Sequence, residues 1–404
     1  MHLMHTYKRL PVVFERGQGD QLWDIDNIEY IDAISGIGVT SLGHAHPIIA
    51  ESIAKQAATL IHTSNMAEIY WQSLLGEKLC ELSDLDKAFI CNSGCEANEV
   101  ALKIARLFAK KKGVADPRIV VMENAFHGRT FATNAASFNL TSKTGFEFEP
   151  QICGFVRVPF DDLDSVRKAA EEHSNIVAIM VEPIQGEGGV RVFSPGYLKG
   201  LRQICDEQNW LLILDEIQCG IGRTGHWFAY QHEQITPDVL TLAKALGNGF
   251  PIGACLAKGE AANILSPGSY GSTFGGNPLA SRIACTVLDL IETGGFVNKA
   301  GTLGAKALMR LQQALSKEST VIEVRGLGLM LGVELAVPGS HLMEQAMREE
   351  RVLLNVTRDK VIRLLPSFVS SEETLNLVMD KVCRQIASLV SINNTETKNE
   401  ALTI

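Results

Sequence analysis

The sequence predicts an α/β protein with a mostly parallel central sheet in a large domain and a second, smaller α+β domain. In the middle of the chain, short apolar, β-branched runs alternate with helical patterns, which is typical of a parallel sheet covered by helices. The 404 residues, 46% hydrophobic and 21% charged, provide enough apolar material for a large core. From residue 290 onward the helical patterns lengthen and a separate set of short strands follows, which indicates the second domain.

The predicted elements follow from these patterns in chain order. The strands of the large domain are Ala88–Cys91, Arg118–Met122, Phe155–Val158, Ile176–Val181, Trp210–Asp215, Val239–Ala243 and Ala254–Ala257. Amphipathic helices are predicted at Asp162–His173 and Pro195–Asn209, the second with Ser194 as its N-cap and Pro195 at its first position. Short strands of the smaller domain are predicted around Val321–Glu334 and Val361–Leu365.

We divide the chain into four parts on this basis. Residues 1–45 form an N-terminal segment that contributes to the small domain, residues 46–290 form the large domain, and residues 291–390 form the C-terminal small domain. Residues 391–404 are a polar, weakly patterned tail that we expect to be flexible.

Charge and composition exclude several classes of protein. Lys and Arg total 37 against 46 Asp and Glu, so a net charge of −9 does not fit a nucleic-acid or anionic-membrane binder. The apolar runs are about six residues long, far below the roughly 20 that span a bilayer, and the N-terminus has no long apolar leader. Nine cysteines without a CxxC pair indicate reduced thiols and no structural zinc. We therefore expect a cytoplasmic enzyme without a metal site.

The segment FICNSGCEANE, residues 89–99, reads as a strand, a tight turn and the start of a helix. Ser93 and Glu96 have the spacing of a capping box. A helix N-terminus after such a turn presents free backbone N–H groups, which form a natural phosphate cradle. An ordinary βα turn with a good cap fits the segment equally well.

The segment WLLILDEIQ, residues 210–218, ends an apolar strand on two acids, Asp215 and Glu216. Open α/β sheets bind ligands beyond the carboxyl ends of their strands. A carboxylate there can bind magnesium, hold a protonated ring nitrogen or cap a helix. The G-x-G-x-x-G match at residues 220–225 is a poor dinucleotide site, because polar residues separate it from the strand and aromatic residues follow it.

Lys244 ends the next apolar strand and precedes a Gly-rich turn, ALGNGFPIG. A partly desolvated lysine has a lowered pKa and is a better nucleophile. A lysine whose amine simply reaches solvent is the alternative. The acid-ended strand 29 residues earlier and the segment GSTFGGNP, residues 271–278, favour the functional interpretation.

Together these segments resemble the class III (ornithine-type) pyridoxal-phosphate aminotransferases, and within them the acetylornithine aminotransferase group. The blocks SGxEANE, FHGRT, VEPIQGEGG, LDEIQxGxGRTG, AKALGNGFPIG and GSTFGGNP occur in family order, and the resemblance extends from Tyr7 to Phe368. It implies the fold-type I architecture and pyridoxal 5'-phosphate as the cofactor.

The resemblance also implies roles at the cofactor ring. Lys244 would attach the cofactor covalently, and Asp215 would pair with the protonated pyridine nitrogen so that the ring accepts electrons. Gln218 would bind the phenolic oxygen. Phe126 would stack on one face of the ring and Ile217 would cover the other.

At the phosphate, the resemblance implies contacts from two subunits. Ser93, Gly94 and Cys95 would bind it from the turn before the helix, Gly94 and Cys95 through their backbone N–H groups. Ser272 and Thr273 would reach it from the neighbouring subunit, which makes the protein a homodimer with shared active sites.

For the substrate, the resemblance implies two arginines. Arg129 would bind the α-carboxylate with its planar fork. Arg363 would pair with Glu187, which neutralises it for a basic amino donor and releases it for the dicarboxylate 2-oxoglutarate. Glu182 would support the polar network, and we interpret His127 as a packing residue and not a general base.

The activity implied is reversible transamination between N-acetylornithine and 2-oxoglutarate, which yields N-acetylglutamate 5-semialdehyde and glutamate in arginine metabolism. Lys244 and Asp215 would be its catalytic residues. Another ω-aminotransferase, acting on succinylornithine, ornithine or 4-aminobutyrate, is the nearest alternative. A pyridoxal-phosphate-binding protein without turnover and an NAD-dependent oxidoreductase are weaker ones.

Overall fold

The structure, a computed structural model, describes residues 2–137 and 154–400, with side chains as far as Leu389. The strands are β1 (Phe14–Gln18), β2 (Gln21–Asp24), β3 (Glu29–Asp32), β4 (Lys87–Cys91), β5 (Arg118–Met122), β6 (Phe155–Val158), β7 (Ile176–Val181), β8 (Ile184–Gln185), β9 (Arg191–Val192), β10 (Leu211–Asp215), β11 (Val239–Leu242), β12 (Gly253–Ala257), β13 (Val321–Leu327), β14 (Met330–Leu335), β15 (Val352–Leu353), β16 (Asn355–Thr357) and β17 (Val361–Leu364). The α-helices are α1 (Ser35–Gly38), α2 (Pro47–Thr59), α3 (Tyr70–Ser83), α4 (Gly94–Lys111), α5 (Phe131–Ala136), α6 (Leu163–Glu172), α7 (Tyr197–Gln208), α8 (Pro278–Thr293), α9 (Phe296–Leu315), α10 (Leu342–Gln345) and α11 (Glu372–Glu400).

The predicted α/β class with a mostly parallel central sheet is confirmed. The sheet has seven strands in the order β4-β12-β11-β10-β7-β5-β6, and each was predicted from the sequence to within one residue at either end. Only β12 runs against its neighbours β11 and β4. The link from β11 to β12 spans ten residues, and a parallel crossover needs a dozen or more.

The sheet is buried on both faces, as its unbroken apolar runs require. Successive residues of β5 show this, because Val120 and Met122 join the apolar core on one face and Ile119 and Val121 join the core on the other. Strands β5, β7, β10 and β11 are parallel, so their carboxyl ends meet at one edge of the sheet. That edge carries the candidate site.

Helix α7 begins two residues later than predicted. Its N-cap is Gly196 in the left-handed region, not Ser194. The Ser194 backbone N–H donates to Asp161 Oδ1 over 3.1 Å, and its hydroxyl donates to the other carboxylate oxygen. Ser194 therefore lies two residues before the N-cap, and its polar groups bind Asp161 and not the first turn of the helix.

Helix α4 begins where the sequence predicted, but its capping box is modified. Ser93 Oγ accepts the Glu96 N–H over 3.2 Å, as expected. In an ideal capping box the Glu96 carboxylate would accept the backbone N–H of the cap residue, Ser93. Here it accepts hydrogen bonds from the preceding residue, Asn92, from its N–H at 2.6 Å and its side chain at 2.9 Å.

Three smaller sheets lie outside the large one, of which β8-β9 has only two strands and the other two have four strands each. One has the order β13-β14-β17-β16 and packs with helices α9 and α11 around a third apolar core. The other, β1-β2-β3-β15, pairs the N-terminal strands with Val352–Leu353 near the opposite end of the chain. Helix α11 continues to Glu400 through most of the segment expected to be a flexible tail, and residues 401–404 lie outside the described residues.

In the two described ranges, no helix is both long enough and apolar enough to cross a membrane.

Candidate active site

A cavity of about 350 Å³ opens at the carboxyl edge of the seven-stranded sheet. Nine residues predicted from the sequence line it: Ser93, Gly94, Cys95, Phe126, Glu182, Asp215, Ile217, Gln218 and Lys244. They come from the loops that follow β4, β5, β7, β10 and β11, which converge because those strand ends share one region of the sheet. The cavity also has lining residues that sequence reasoning did not place there: Val39, Asn92, His127, Gly128, Ala243 and the segment 249–252.

Asp215 lines this cavity and is held in place by the side chains of Asn98 and His127. Its Oδ2 accepts hydrogen bonds of 2.8 Å from Asn98 Nδ2 and of 2.8 Å from His127 Nδ1. Asn98 is itself fixed, because its Oδ1 accepts the hydroxyl of Thr241 over 2.7 Å. The carboxylate can only accept, so His127 carries a proton on Nδ1. Asp215 Oδ1 accepts the Ile217 N–H over 3.1 Å.

Asn98 and His127 form part of this network although the sequence did not assign them there. Asn98 is fully buried on α4, within the SGCEANE segment, and a polar side chain on the buried face of a helix requires a partner inside the protein. His127 lies beside Arg129 in chain order and was expected only to pack. Its Nε2 is buried without a partner in the described part of the chain.

Lys244 follows β11 after a single residue, Ala243, and begins a short 3₁₀ turn. Its φ of 47° is in the left-handed region, which is uncommon for a residue with a Cβ and which clusters at functional sites. Burial lowers the pKa of the Lys244 amine below its ordinary value of 10.5, an effect partly opposed by the carboxylate of Glu187. A larger share of the amine is therefore neutral than in a solvent-exposed lysine.

The N-terminus of α4 forms one wall of the cavity. The N–H groups of Glu96 and Ala97 bind Ser93, through its side chain and its carbonyl. The N–H groups of Gly94 and Cys95 precede them and have no partner within the helix. A Cβ at Gly94 would lie 2.8 Å from Ile217 Cδ1, so a side chain there would displace Ile217 from its position against the start of α4. The result is a pair of backbone donors at the positive end of a helix dipole.

Glu182 connects two loops beside the cavity. Its Oε1 accepts the Phe126 N–H over 2.8 Å, and its Oε2 accepts the Gly186 N–H over 3.0 Å. Burial raises the pKa of Glu182 to about 7, and the positive charge available on His127 opposes the rise. Glu182 thus holds the loop of Phe126 and the loop that leads to Glu187.

Arg363 and Glu187, which the family resemblance implied to be a pair, form an ion pair with Arg363 Nη1 2.6 Å from Glu187 Oε1. The same Nη1 donates to Gln218 Oε1 over 3.2 Å, so the pair is linked to the cavity wall. Asn355, which sequence reasoning missed, accepts two further hydrogen bonds from Arg363, at 2.8 and 3.1 Å.

Arg129 is exposed and does not line the cavity, but its guanidinium carbon lies 5.5 Å from the ring centroid of Phe126, which does. Among the residues described, no carboxylate lies within ion-pair distance of Arg129. The two arginines therefore differ, because Arg363 is paired and Arg129 is open.

Ser272 and Thr273 lie outside the cavity lining. Ser272 Oγ accepts a hydrogen bond of 3.1 Å from Asn92 Nδ2 of the same chain, and Asn92 lines the cavity. The side chain of Thr273 is exposed.

The G-x-G-x-x-G segment after Asp215 has no dinucleotide-binding context. It runs into turns, and the next helical element is a 3₁₀ turn at Ala229–Glu233. Its Arg223 is fully buried and donates to the carbonyls of Leu329 and Pro366. The segment therefore packs the large sheet against the C-terminal strands.

Comparison with known proteins identifies the family. The class-III aminotransferase family (Aminotransferase class-III) matches residues 3–386. This chain belongs to that family. The family prediction is confirmed, and the protein is an aminotransferase. It is similar to the acetylornithine aminotransferase of Nitrosomonas europaea, with 52% identity covering 91% of this chain and 92% of the relative. Identity to the acetylornithine aminotransferase of Methanocaldococcus jannaschii is 46%, covering 92% of each chain.

Solved structures of aminotransferases confirm the fold-type I architecture. The ornithine aminotransferase of Toxoplasma gondii superposes with a TM-score of 0.92 at 33% identity, covering 96% of this chain and 93% of that one. A second structure of that T. gondii enzyme has the same TM-score and identity and covers 97% of this chain and 94% of that one. It has pyridoxal phosphate at partial occupancy in its active site. The acetylornithine aminotransferase of Elizabethkingia anophelis has a TM-score of 0.85 and 34% identity, covering 96% of each chain.

Proposed function

We propose that this aminotransferase moves the δ-amino group of N-acetylornithine reversibly to 2-oxoglutarate, forming N-acetylglutamate 5-semialdehyde and glutamate. One observation carries the proposal, namely that a desolvated lysine amine, a buried carboxylate and a helix N-terminus surround a single cavity. The relatives from N. europaea and M. jannaschii, both named acetylornithine aminotransferases, support the choice of substrate.

The donor set of the cavity fits pyridoxal 5'-phosphate. The Gly94 and Cys95 N–H groups at the dipole of α4 suit a phosphate, and Ser93 lies beside them. Asp215, with one carboxylate oxygen held by Asn98 and His127, suits a protonated ring nitrogen. Phe126 and Ile217 supply apolar faces for a flat ring, Gln218 a polar group at its edge, and Lys244 the amine that would bind the aldehyde.

In this reaction Asp215 and Lys244 have different roles. When bound, pyridoxal phosphate supplies a ring that withdraws electrons from the amine-bearing carbon of the substrate. Asp215 keeps the ring nitrogen protonated, which sustains that withdrawal. Lys244 takes up at Nζ the proton released from the substrate carbon and returns it later, which its lowered pKa permits. Lys244 and Asp215 are therefore the proposed catalytic residues.

The contrast between the two arginines fits this pair of substrates. N-acetylornithine has one free carboxylate, and we assign it to Arg129, whose guanidinium has a fork geometry suited to it. 2-Oxoglutarate has two carboxylates, and the second requires another cation. Arg363 provides it once Glu187, which is about a quarter exposed, moves away. With Glu187 in place, Arg363 is neutralised and the single carboxylate of the donor suffices. Glu182 holds the loops on both sides of this arrangement.

We propose further that the protein is a homodimer with shared active sites. Five large apolar side chains are exposed on the segment that runs from the end of α2 to the first residue of α3 and on the loop that carries Ser272 and Thr273: Leu60, Ile61, Met66, Tyr70 and Phe274. Asn65 Nδ2 donates to the carbonyls of Ser272 and Gly275, both over 3.0 Å, so these residues form one surface. Exposed apolar surface of this kind marks an interface. A second copy seated there would bring Ser272 and Thr273 to the partner's phosphate site.

We also propose a cytoplasmic location. Eight cysteines within the described ranges are free thiols, which suits a reducing compartment.

A donor panel tests the proposed reaction. Purified protein loaded with pyridoxal phosphate is incubated with 2-oxoglutarate and each of N-acetylornithine, N-succinylornithine, ornithine and 4-aminobutyrate, and glutamate is measured. We expect the highest kcat/KM with N-acetylornithine. A higher value with another donor would assign the protein to a different ω-aminotransferase activity, and no glutamate from any donor would contradict the proposal.

A further inference from the structure

Two side chains of α4 hold the loop that carries Arg129. Cys95 and Glu99 are four residues apart, so they lie on one face of the helix. The Arg129 backbone N–H donates to Cys95 Sγ over 3.3 Å. In the next residue, the Thr130 hydroxyl donates to Glu99 Oε1. The loop is therefore anchored at two consecutive residues to the helix whose first turn lines the cavity.

Thr133 extends the anchor into the protein. It is fully buried, its Oγ1 accepts the Thr130 N–H over 3.1 Å, and the hydroxyl oxygens of Thr130 and Thr133 are 2.6 Å apart. Since Thr130 gives its hydroxyl proton to Glu99, Thr133 is the donor between the two hydroxyls. The Thr133 N–H also points to Glu99 Oε1, at 3.4 Å. The Glu99 carboxylate thus ends a chain of hydroxyl groups, and a charged acceptor strengthens such a chain.

Close packing prevents the loop from moving towards the helix. Gly128 has a φ of 140°, and a Cβ there would lie 2.6 Å from Cys95 Sγ and 2.5 Å from Thr133 Oγ1. The backbone before Arg129 therefore rests directly on the side chains that also bind it.

Glu99 fixes Arg129 without pairing with it. Its carboxylate is used by Thr130 and Thr133, and within the described ranges it lies beyond ion-pair distance from the Arg129 guanidinium. That guanidinium instead lies near the Phe126 ring. The arginine is held in position and its charge is left available for a ligand.

We propose that Glu99, assisted by Cys95, is a positioning residue for substrate binding that acts through Arg129. The proposal rests on the proposed function, in which Arg129 binds the substrate α-carboxylate. It assigns a role to the side chain of Cys95, a residue for which the family resemblance implied only a backbone contact to the phosphate. It also assigns a role to Glu99, which the sequence did not single out.

A double-mutant cycle tests the coupling. The variants are Glu99→Ala, Arg129→Ala and the double variant, with Glu171→Ala as the control, because Glu171 is an exposed glutamate on α6. With N-acetylornithine and 2-oxoglutarate we expect Glu99→Ala to lower kcat/KM about five- to tenfold, because the loop loses one hydrogen-bonded anchor. Most of this change should be a rise in KM. In the Arg129→Ala background the same change should have no further effect. Cofactor absorbance should be unchanged.

Two further readouts separate positioning from general damage. Glu99→Gln keeps an acceptor oxygen and should recover most of the lost kcat/KM. N-acetylputrescine has the same amine and acetyl group as N-acetylornithine but no α-carboxylate, so its slower conversion should not respond to Glu99→Ala. If Glu99→Ala does not fold, Thr130→Val, which removes the hydroxyl donor, takes its place in the cycle.

The results separate a failure of the positioning role of Glu99 from a failure of the proposed function. A loss from Glu99→Ala that persists in the Arg129→Ala background, or that is equal with N-acetylputrescine, would overturn the positioning role and leave the proposed function intact. If Arg129→Ala itself left both natural substrates unaffected, the proposed carboxylate site would fail, and this inference with it.

Discussion

Arg363 and Glu187 form an ion pair of 2.6 Å in which the arginine side chain is 1% exposed and the glutamate side chain 27% exposed. The arginine cannot leave without breaking its two bonds to Asn355, whereas the glutamate faces solvent on one side. Between these two residues, Glu187 is therefore the one that can move. This asymmetry is what a gate between a monocarboxylate and a dicarboxylate requires.

Replacing Glu187 with alanine should change the substrate preference. The guanidinium of Arg363 would then lack its counter-charge permanently and would favour a second substrate carboxylate. We expect the ratio of kcat/KM for 2-oxoglutarate to that for N-acetylornithine to rise about tenfold. Glu187→Gln removes the charge with little change of size and should shift the ratio in the same direction. An unchanged ratio in both variants, measured by half-reaction kinetics, would rule out the gate.

Arg129→Lys should weaken catalysis with both substrates. Lysine keeps the charge but cannot form the two parallel hydrogen bonds of a guanidinium with a carboxylate. The expected loss of transition-state stabilisation is about 1.5–3 kcal/mol, obtained from kcat/KM. Equal kcat/KM in the variant and the parent protein for both substrates would refute the carboxylate-binding role of Arg129.

The buried residue Glu216 should make stability depend on pH. Burial raises its pKa to about 8 from an ordinary 4.5, although two backbone N–H groups, of Ala229 and Tyr230, partly oppose this. The folded protein therefore binds a proton that the unfolded chain releases between these values, so this contribution to stability is full below pH 4.5 and is lost as the pH rises through 8.

Glu216→Gln imitates the protonated form and should remove that dependence. From pH 5 to pH 8, the free energy of unfolding of the parent protein should fall by about 1–3 kcal/mol relative to that of the variant. Urea unfolding at several pH values measures it, with Glu171→Gln as a surface control. A difference that is constant with pH would show that Glu216 does not bind the proton.

Shared active sites predict complementation between two inactive variants. Lys244→Ala chains lack the amine, and Thr273→Glu chains place a negative charge where the partner's phosphate would bind. A hybrid dimer contains one site with both lesions and one with neither, so mixing the variants should restore up to one site per hybrid. No recovery after proven subunit exchange, or a fully active monomer by light scattering, would contradict the shared site.

The central sheet was predictable from the sequence because each strand is a short apolar run between polar or Gly-containing segments. Residues that work through their chain neighbours, such as Ser93 at the start of α4, were also predictable. Contacts across the chain were not. Asn98 and Asp215 are 117 positions apart in the chain, and Asn355 meets Arg363 through strand pairing.

Local rules also failed where a polar group other than the expected partner formed the hydrogen bond. Ser194 has the residue type and position of an N-cap, but Asp161 binds it and Gly196 caps the helix instead. Glu96 has the spacing of a capping box, yet its carboxylate accepts hydrogen bonds from the N–H and the side chain of Asn92, the residue before the cap. In both cases the competing group comes from an interaction that periodicity does not report.

The most direct test of the account is to locate the lysine that binds the cofactor. The purified protein is loaded with pyridoxal phosphate, treated with borohydride to fix the bond between the lysine amine and the cofactor aldehyde, digested and mapped by mass spectrometry. We predict that the pyridoxyl group is on Lys244 and that N-acetylornithine added before borohydride removes it. A label on another lysine, or one that N-acetylornithine does not remove, would contradict the account.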